Sequence, residues 1–307
     1  MLRYILRRVL AAALTLFIAA TLTFFIMNAV PGDPFASERA TTAAAKAAMQ
    51  AKYGLDLPLT QRYLNYMNSL LHGDMGVSYV QVKNKPVADL IATAFPVSAR
   101  LGAIAICASI IVGIPLGCIS AMYRGKWVDS VMRVLSTLGI AVPGFVVATT
   151  LMVVFAAGLK WLPATGLKSS ASYIMPVITL ALYPACYIAR LMRSSLLDTI
   201  SQDYIRTLRA KGISRTCIVF KHALRNALIP VITYFGPMVA SILTGGIIAE
   251  HVFNIPGLGR YFVKSIESRD YTIIMATTIF YAFMLIAMTT LCDILYKVVD
   301  PRISLEK

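Results

Sequence analysis

Residues 101–122 read LGAIAICASIIVGIPLGCISAM, a run in which no side chain is charged. An α-helix needs about 20 consecutive apolar residues to cross the roughly 30 Å hydrocarbon core of a bilayer. A helix is also one of the few structures that satisfy every backbone polar group inside lipid. The run therefore predicts a transmembrane helix.

Comparable apolar blocks recur along the 307 residues, of which 58% are hydrophobic and 14% charged, with a mean hydropathy of +0.72. This composition is far more apolar than that of a soluble domain. The sequence therefore predicts an all-α integral membrane protein with one transmembrane domain over residues 1–307 and with prolines that kink the third and fourth spans (Pro143 and Pro184). The six predicted spans are Leu10–Val30, Leu101–Met122, Val134–Ala157, Ile174–Met192, Ile229–Val252 and Ile273–Val298.

The net charge of +15 does not indicate nucleic-acid binding, because the basic residues lie in the gaps between apolar blocks instead of forming one patch. They give the orientation instead. The segments on the side of both termini hold 17 basic residues and the short segments on the other side hold 5. Short cytoplasmic loops carry the excess of Lys and Arg. Both termini are therefore predicted to be cytoplasmic, and the long loop 31–100 to form a small extracytoplasmic cap that includes helices at Ser37–Tyr53 and Leu59–Leu70.

Motifs for catalysis and metal binding are missing from the sequence. It has no Gly-rich phosphate loop ending in Gly-Lys-Ser/Thr, no HExxH and no GxSxG. Its three histidines and five cysteines do not have metal-ligand spacing. We therefore predict a chain that is not itself an enzyme and binds no metal or cofactor. An ion-coupled secondary transporter remains an alternative, although it calls for midplane acids and inverted repeats.

Four ionisable residues lie near the ends of the fifth and sixth apolar blocks. Asp293 precedes Lys297 by four residues in the sixth block, and this spacing predicts a structural ion pair near the cytoplasmic face. Glu250 and His251 lie at the outer boundary of the fifth block. Their side chains are predicted to reach water there.

The predicted cytoplasmic loop 193–228 is long and basic, yet its apolar residues have helical spacing. Ser201 is a predicted N-cap, with Asp203 in the first turn of the helix that follows. Gly212 permits a tight break, and the periodicity predicts a second helix over Ile213–Leu224. A pair of short helices on a loop is typical of a docking site for a partner.

At this point the chain resembles a known family. The string DYIRTLRAKG at 203–212, followed by HALRNALIP at 222–230, is similar to the coupling loop of ABC-importer permeases in its peptide-permease form. The chain has Arg206-Thr207-Leu208 where the general importer pattern begins with Glu-Ala-Ala. Three further sets of strings extend the resemblance, which is closest to the oligopeptide branch: RR at 7–8 with PGDP at 31–34, GDMG at 73–76 with FPVS at 95–98, and FNIPGLGR at 253–260.

The resemblance implies a bacterial inner-membrane permease subunit of an ATP-driven peptide importer. The implied partners are a second, homologous permease, two cytoplasmic ATPases that bind ATP and Mg, an extracytoplasmic peptide-binding protein and membrane lipid. Permeases for dipeptides, glutathione or nickel in the same family are the alternatives. The residues that the resemblance assigns to ATPase coupling are Asp203, Tyr204, Arg206, Thr207, Arg209, Ala210, Lys211 and Gly212.

The string at 253–260 also has a physical interpretation of its own. A Pro-Gly-x-Gly run between two spans dips toward the membrane only where protein or a water-filled cavity satisfies its backbone. We therefore predict an outer gate element there. Its predicted residues are Phe253, Asn254, Pro256, Gly257, Gly259 and Arg260.

Overall fold

A computed structural model describes residues 2–29, 50–52 and 54–299. Within these ranges the chain is helical and contains no strand beyond one isolated bridge between Val77 and Pro86. The helices are α1 Leu2–Ala29, α2 Leu59–Leu71, α3 Val87–Met122, α4 Trp127–Ala141, α5 Gly144–Leu151, α6 Ile174–Ile200, α7 Asp203–Ala210, α8 Arg215–Cys217, α9 Leu224–Ala227, α10 Ile229–Val252, α11 Leu258–Ser268 and α12 Tyr271–Val299.

Three shorter segments complete the helical structure. A π-helical segment, Met152–Gly158, continues α5, and a 3₁₀ turn, Ser170–Tyr173, precedes α6. A second π-helical segment, Ile218–Ala223, lies between α8 and α9.

The prediction that the chain contains several membrane-spanning helices is confirmed. Five helices of the described ranges are long and apolar enough to cross a bilayer, and a sixth span is possible if the pair Trp127–Ala141 and Gly144–Gly158 is counted as one. That pair bends by 99° at its break. The predicted third span, Val134–Ala157, is therefore interrupted at Pro143, where the sequence predicts a kink, and the bend is far sharper than a kink.

Proline explains the break between α4 and α5. Val142 is extended, with φ −77° and ψ 122°, and Pro143 follows it. A residue before proline is driven out of the α region, and proline itself has no N–H to donate. Pro184, by contrast, lies inside α6, which continues through it.

Several sequence predictions lie outside the described residues. They are the string PGDP at 31–34 and the predicted helix Ser37–Tyr53 apart from residues 50–52. The side chains of Asp293 and Lys297 in α12 also belong to this group.

The described residues form two compact units. The first comprises residues of Met1–Ser98 and Pro256–Ala287, and the second those of Ala99–Ile255 and Met288–Leu305. In the first unit, two apolar clusters join α12 to α3 and to α1. In the second, one large cluster, which we call the inner cluster, joins α3, α6, α7, the segment 213–228 and α10.

Glycines allow α3 and α6 to approach closely in the second unit. A Cβ on Gly113 would lie 2.7 Å from the carbonyl oxygen of Ala185, and one on Gly117 would lie 2.6 Å from that of Ala189. Both helices thus place small residues four apart at their contact. Such small-residue spacing is a common packing device of helices in membranes, where close backbone approach replaces the hydrophobic effect. The four-residue spacing of Gly113 and Gly117 is visible in the sequence and is a signal for this helix contact.

Candidate functional site

The N-cap of the short helix α7 is Gln202, one residue after the predicted cap Ser201. Gln202 has the extended backbone of an N-cap residue, with φ −68° and ψ 151°, and Asp203 lies in the first turn. Ser201 instead ends α6, where its hydroxyl donates a 2.7 Å hydrogen bond to the carbonyl of Asp198. The prediction of Ser201 as N-cap is therefore wrong, because the preceding helix runs on to Ile200 and uses the serine at its own C-terminus. Asp203 still places a negative charge at the positive end of the α7 dipole.

The C-terminus of α7 is a Schellman turn centred on Gly212. The N–H of Gly212 donates to the carbonyl of Arg209 at 2.9 Å, and the N–H of Ile213 donates to that of Leu208 at 3.3 Å. Gly212 has φ +76°, a left-handed conformation that favours glycine. A Cβ there would meet nothing within 4 Å. The glycine is therefore required by backbone conformation, and not by lack of space.

The two faces of α7 differ sharply in exposure. Ile205 is fully buried in the inner cluster and Leu208 is half-buried against it. Leu208 thus packs on its own chain, at the position where the sequence departs from the general importer pattern. All eight residues predicted for coupling are exposed: Asp203, Tyr204, Arg206, Thr207, Arg209, Ala210, Lys211 and Gly212.

The segment after Gly212 packs in the same inner cluster as the buried face of α7. The predicted second helix, Ile213–Leu224, is wrong in its bounds, since helical structure begins at Arg215 and passes through the π-helical segment to the end of α9. Ile218 and Val219 are buried in the inner cluster with Ile205. In addition, the side-chain amide of Asn226 donates a 3.0 Å hydrogen bond to the hydroxyl of Tyr204.

A buried ion pair, which the sequence analysis did not identify, lies close to the start of this loop. Asp129 in the first turn of α4 is 1% exposed. The guanidinium of Arg193 in α6 donates to its two oxygens at 2.7 and 2.8 Å. The hydroxyl of Ser120 and the N–H of Gly125 donate to the same carboxylate at 2.7 and 3.1 Å. Removing one partner of such a pair leaves a buried charge uncompensated, so this network fixes α4 against α6.

A weak signal for this pair was present in the sequence. Asp129 is an acid among the basic residues Arg124, Lys126 and Arg133. From the sequence, Arg193 indicates only the orientation of the membrane helices. Its partner lies 64 residues away, and nothing in a single sequence pairs residues across that distance.

The string predicted to form the gate, residues 253–260, contains both buried and exposed residues. On the side of the second unit, Phe253 and Ile255 are buried, and the carbonyl of Phe253 accepts a 2.9 Å hydrogen bond from the N–H of Gly166. Asn254 is exposed and left-handed, with φ +52°. Pro256 is also exposed.

On the side of the first unit, the string leads into α11. Gly257 and Gly259 are buried and Arg260 is partly exposed. The N–H of Leu258 donates a 2.9 Å hydrogen bond to the hydroxyl of Ser98. The strings at 95–98 and 253–260, which are far apart in sequence, therefore meet in space.

The prediction that Glu250 reaches water is wrong. Its side chain is 1% exposed, whereas His251 is exposed. A Cβ on Gly246 would lie 3.1 Å from a carboxylate oxygen of Glu250. The glycine one turn earlier in α10 thus leaves room for the side chain to lie along the helix.

Asp270, just before α12, is a third buried carboxylate, after Asp129 and Glu250, and the sequence did not reveal it. It is 0% exposed and accepts hydrogen bonds from the hydroxyl of Ser78 at 2.6 Å and from the N–H groups of Val80 and Gln81 at 3.0 and 3.1 Å. This bonding fixes the loop 78–81 in the first unit. Among residues 2–29, 50–52 and 54–299, no group of three His, Cys, Asp or Glu side chains is placed to hold a metal ion.

Comparison with known proteins gives the context for these elements. A family model described as "Binding-protein-dependent transport system inner membrane component" matches residues 113–305. The chain belongs to this family. A model of the N-terminal part of such membrane components matches residues 1–102. The family region therefore contains the last part of α3 and all of α4 to α12.

Curated relatives of this family member match it over nearly its full length. It is 46% identical to the dipeptide transport system permease protein DppB of Bacillus subtilis, over 100% of this chain and 99% of the relative. It is 42% identical to the oligopeptide transport system permease protein OppB of Haemophilus influenzae, over 99% of each chain. It is 40% identical to OppB of Escherichia coli K12, over 99% of each chain.

Solved structures share the fold of this family member. A chain of the MetNI methionine ABC transporter in an inward-facing conformation superposes with a TM-score of 0.57 at 16% identity, covering 68% of this chain and 96% of that one. A chain of an amino acid ABC transporter gives a TM-score of 0.57 at 15% identity, covering 69% and 94%. The all-α membrane fold is thereby confirmed as that of ABC-importer permeases.

Proposed function

We propose that the chain is the membrane-spanning permease subunit of an ATP-driven ABC importer of peptides. The relatives at 40–46% identity are named as permeases of dipeptide and oligopeptide systems, and both names lie within this proposal. The observation that carries it is the division of α7 into a buried face, Ile205 with Leu208, and an exposed face made of six of the eight residues assigned to coupling. The other two, Lys211 and Gly212, directly follow the helix and are also exposed.

The exposed face of α7 is the proposed contact with a cytoplasmic ATPase. An eight-residue helix has little stability of its own, so its shape depends on the inner cluster beneath it. Only two residues separate α7 from α6. A force on α7 therefore reaches α6 directly, and the pair Arg193–Asp129 passes it to α4. In this way nucleotide-driven movement of the ATPase biases the membrane helices between two arrangements.

The complete importer contains partners on both sides of the membrane. We propose a second, homologous permease that shares the translocation path, two ATPases that bind ATP and Mg, and an extracytoplasmic peptide-binding protein. Both termini and α7 lie on the cytoplasmic side, as the distribution of basic residues favours.

The proposed outer gate comprises Phe253, Asn254, Pro256, Gly257, Gly259 and Arg260, and two of these residues, Asn254 and Pro256, differ from their neighbours. These two residues are exposed, whereas their neighbours Phe253 and Ile255 are buried. The side chains of Asn254 and Pro256 are therefore accessible to a partner or to cargo, while Phe253 and Ile255 anchor the loop. Crosslinking of cysteines introduced across this loop is expected to block uptake, and undiminished transport would contradict the gate.

The test of the coupling surface is charge reversal on α7. Arg209→Glu is expected to abolish copurification of the ATPase and to reduce peptide uptake more than tenfold, because an exposed basic contact becomes a repulsive one. Lys168→Glu is the matched control, since Lys168 is exposed and lies in a loop predicted to face the other side. Equal effects of both variants, or normal uptake with Arg209→Glu, would refute the proposal.

A further inference from the structure

A pocket of about 270 Å³, which we call the arginine pocket, is lined by residues of α3, α4 and α6 and belongs wholly to the second unit. Three arginines line it: Arg133 from α4, and Arg190 and Arg193 from α6. Its other lining residues are uncharged. The pocket is therefore suited to an anion.

Measured distances place the three guanidinium groups side by side. The Nε atoms of Arg193 and Arg133 lie 2.7 and 3.8 Å from one oxygen, the Oδ1 of Asp129. The Nη2 of Arg190 donates a 3.1 Å hydrogen bond to the hydroxyl of Thr137. Residues 129, 133 and 137 follow one another at intervals of four on one face of α4, so the three groups form a row along that face.

Most N–H donors of these guanidinium groups are available to a ligand. Each guanidinium has five N–H groups. Hydrogen bonds within the described ranges use two of those of Arg193 and one each of those of Arg133 and Arg190. The side chain of Arg133 is 56% exposed, that of Arg193 is 23% exposed, and Arg190 is also exposed. An anion in the pocket can therefore reach all three.

The charge of this row is only partly balanced. Asp129 is the one acidic residue in the sequence between positions 90 and 197. It leaves two of the three positive charges without a negative partner from this part of the chain. Arginine beside the apolar core of a membrane is costly unless it is paired. Phosphate is a fitting partner, because its oxygens accept the parallel N–H groups of a guanidinium.

An apolar stripe of α4 borders the arginine pocket. Val131, Val134, Leu135 and Leu138 are 43–58% exposed and recur at the spacing of one helix face. With the segment 144–158, α4 is long and apolar enough to cross a bilayer. An exposed apolar stripe on such a helix suits acyl chains. A ligand that joins a phosphate to acyl chains therefore matches both surfaces.

We infer that the arginine pocket binds the phosphate of an anionic phospholipid. Arg133 and Arg193 bond to the phosphate oxygens. Arg190, which lies further from the polar loop 123–126, bonds to an ester carbonyl oxygen of the lipid. The acyl chains follow the stripe from Val131 to Leu138. The site needs neither ATP nor cargo, so it holds or fails independently of the proposed function.

The test uses tryptophan quenching by brominated lipids in nanodiscs that contain the full-length chain. Trp127 is 76% exposed and precedes Val131 by four residues, on the face of the stripe. Trp161→Phe leaves Trp127 as the single tryptophan. Brominated phosphatidylglycerol is expected to quench Trp127 at a mole fraction about tenfold lower than brominated phosphatidylcholine, which has the same phosphate without net charge.

Variants of the pocket connect this preference to the arginines. Arg133→Gln and Arg190→Gln should each reduce the preference for phosphatidylglycerol about fivefold, as the loss of one basic contact to an anionic lipid predicts. Arg193 is left unchanged because it holds Asp129. Arg124→Gln is the matched control, since Arg124 is exposed, lies three residues before Trp127 and does not line the pocket. It should leave the preference unchanged.

Inorganic phosphate distinguishes a lipid site from a site for soluble anions. Compared with chloride at equal ionic strength, it should not relieve the quenching by phosphatidylglycerol. The inference is overturned if both lipids quench Trp127 alike, if Arg124→Gln reduces the preference as much as the two pocket variants do, or if inorganic phosphate displaces the lipid.

Discussion

Replacing Ile205 by alanine should release α7 from the body of the protein. Ile205 is the one fully buried side chain of this eight-residue helix. It belongs to the inner cluster together with Met192 and Leu196 of α6 and with Ile218 and Val219 of the following segment. Because so short a helix does not persist alone in water, the anchor determines whether α7 keeps its place.

The magnitude follows from the atoms removed. Ile205→Ala deletes three buried carbon groups, which account for about 2.4 kcal/mol at about 0.8 kcal/mol each. The cavity left behind adds to this value, and measured losses for such changes are about 2–5 kcal/mol. At about 3 kcal/mol, the population of undocked α7 rises by roughly a hundredfold. Ile205→Val should cost only about 0.5–1.5 kcal/mol.

Two assays check this prediction in the same preparation. Hydrogen exchange should accelerate in residues 203–213 and stay unchanged in the middle of α6. Peptide uptake in proteoliposomes with the companion ATPases should fall at least tenfold, with Ile205→Val intermediate. Leu71→Ala, at a position 82% exposed in α2, is the control and should change neither quantity. Unchanged exchange in 203–213, or full uptake with Ile205→Ala, would show that this anchor does not hold a coupling element.

Three further predictions concern other features of the second unit. Asp129→Ala should lower the free energy of unfolding by about 3–5 kcal/mol. In a double-mutant cycle, Arg193→Ala should cause a much smaller loss of stability when it is added to Asp129→Ala than when it is made alone. Strictly additive losses would contradict the buried pair. Gly117→Ala should destabilise the protein by about 1–3 kcal/mol, because the added Cβ meets the backbone of α6. Gly144→Ala is the control and should be neutral in the same thermal unfolding assay, because its Cβ meets nothing within 4 Å. Equal melting temperatures of the two variants would argue against the glycine contact. Asn254→Val should cost about 1–2 kcal/mol at its left-handed φ, and Asn254→Gly should be tolerated; an equally stable valine variant would refute the strain.

The sequence predicted the membrane helices well because their signal is local. The length and composition of an uncharged block such as 101–122 are enough to predict a membrane span. The break at Pro143 was foreseen only as a kink, and its 99° bend was not. Proline specifies that a helix is interrupted, but the direction of the next helix depends on packing with distant residues.

The exposed face of α7 was foreseen from a string of residues, and its anchor was not singled out. Helical spacing places Ile205 and Leu208 on one side, yet only the structure identifies which side is buried. The pair Asp129–Arg193 and the carboxylate of Asp270 were missed for a different reason. Each depends on contacts between segments that are far apart in sequence, about which local periodicity contains no information.

The central claim, that the exposed face of α7 contacts an ATPase, is tested most directly by photocrosslinking in the assembled complex. A photoreactive phenylalanine derivative placed at Thr207 should crosslink to the ATPase subunit, and the same residue at Lys168 should not. The account predicts an ATPase adduct from position 207 whose yield changes when ATP is added. Absence of that adduct in a complex that still transports peptide would contradict it.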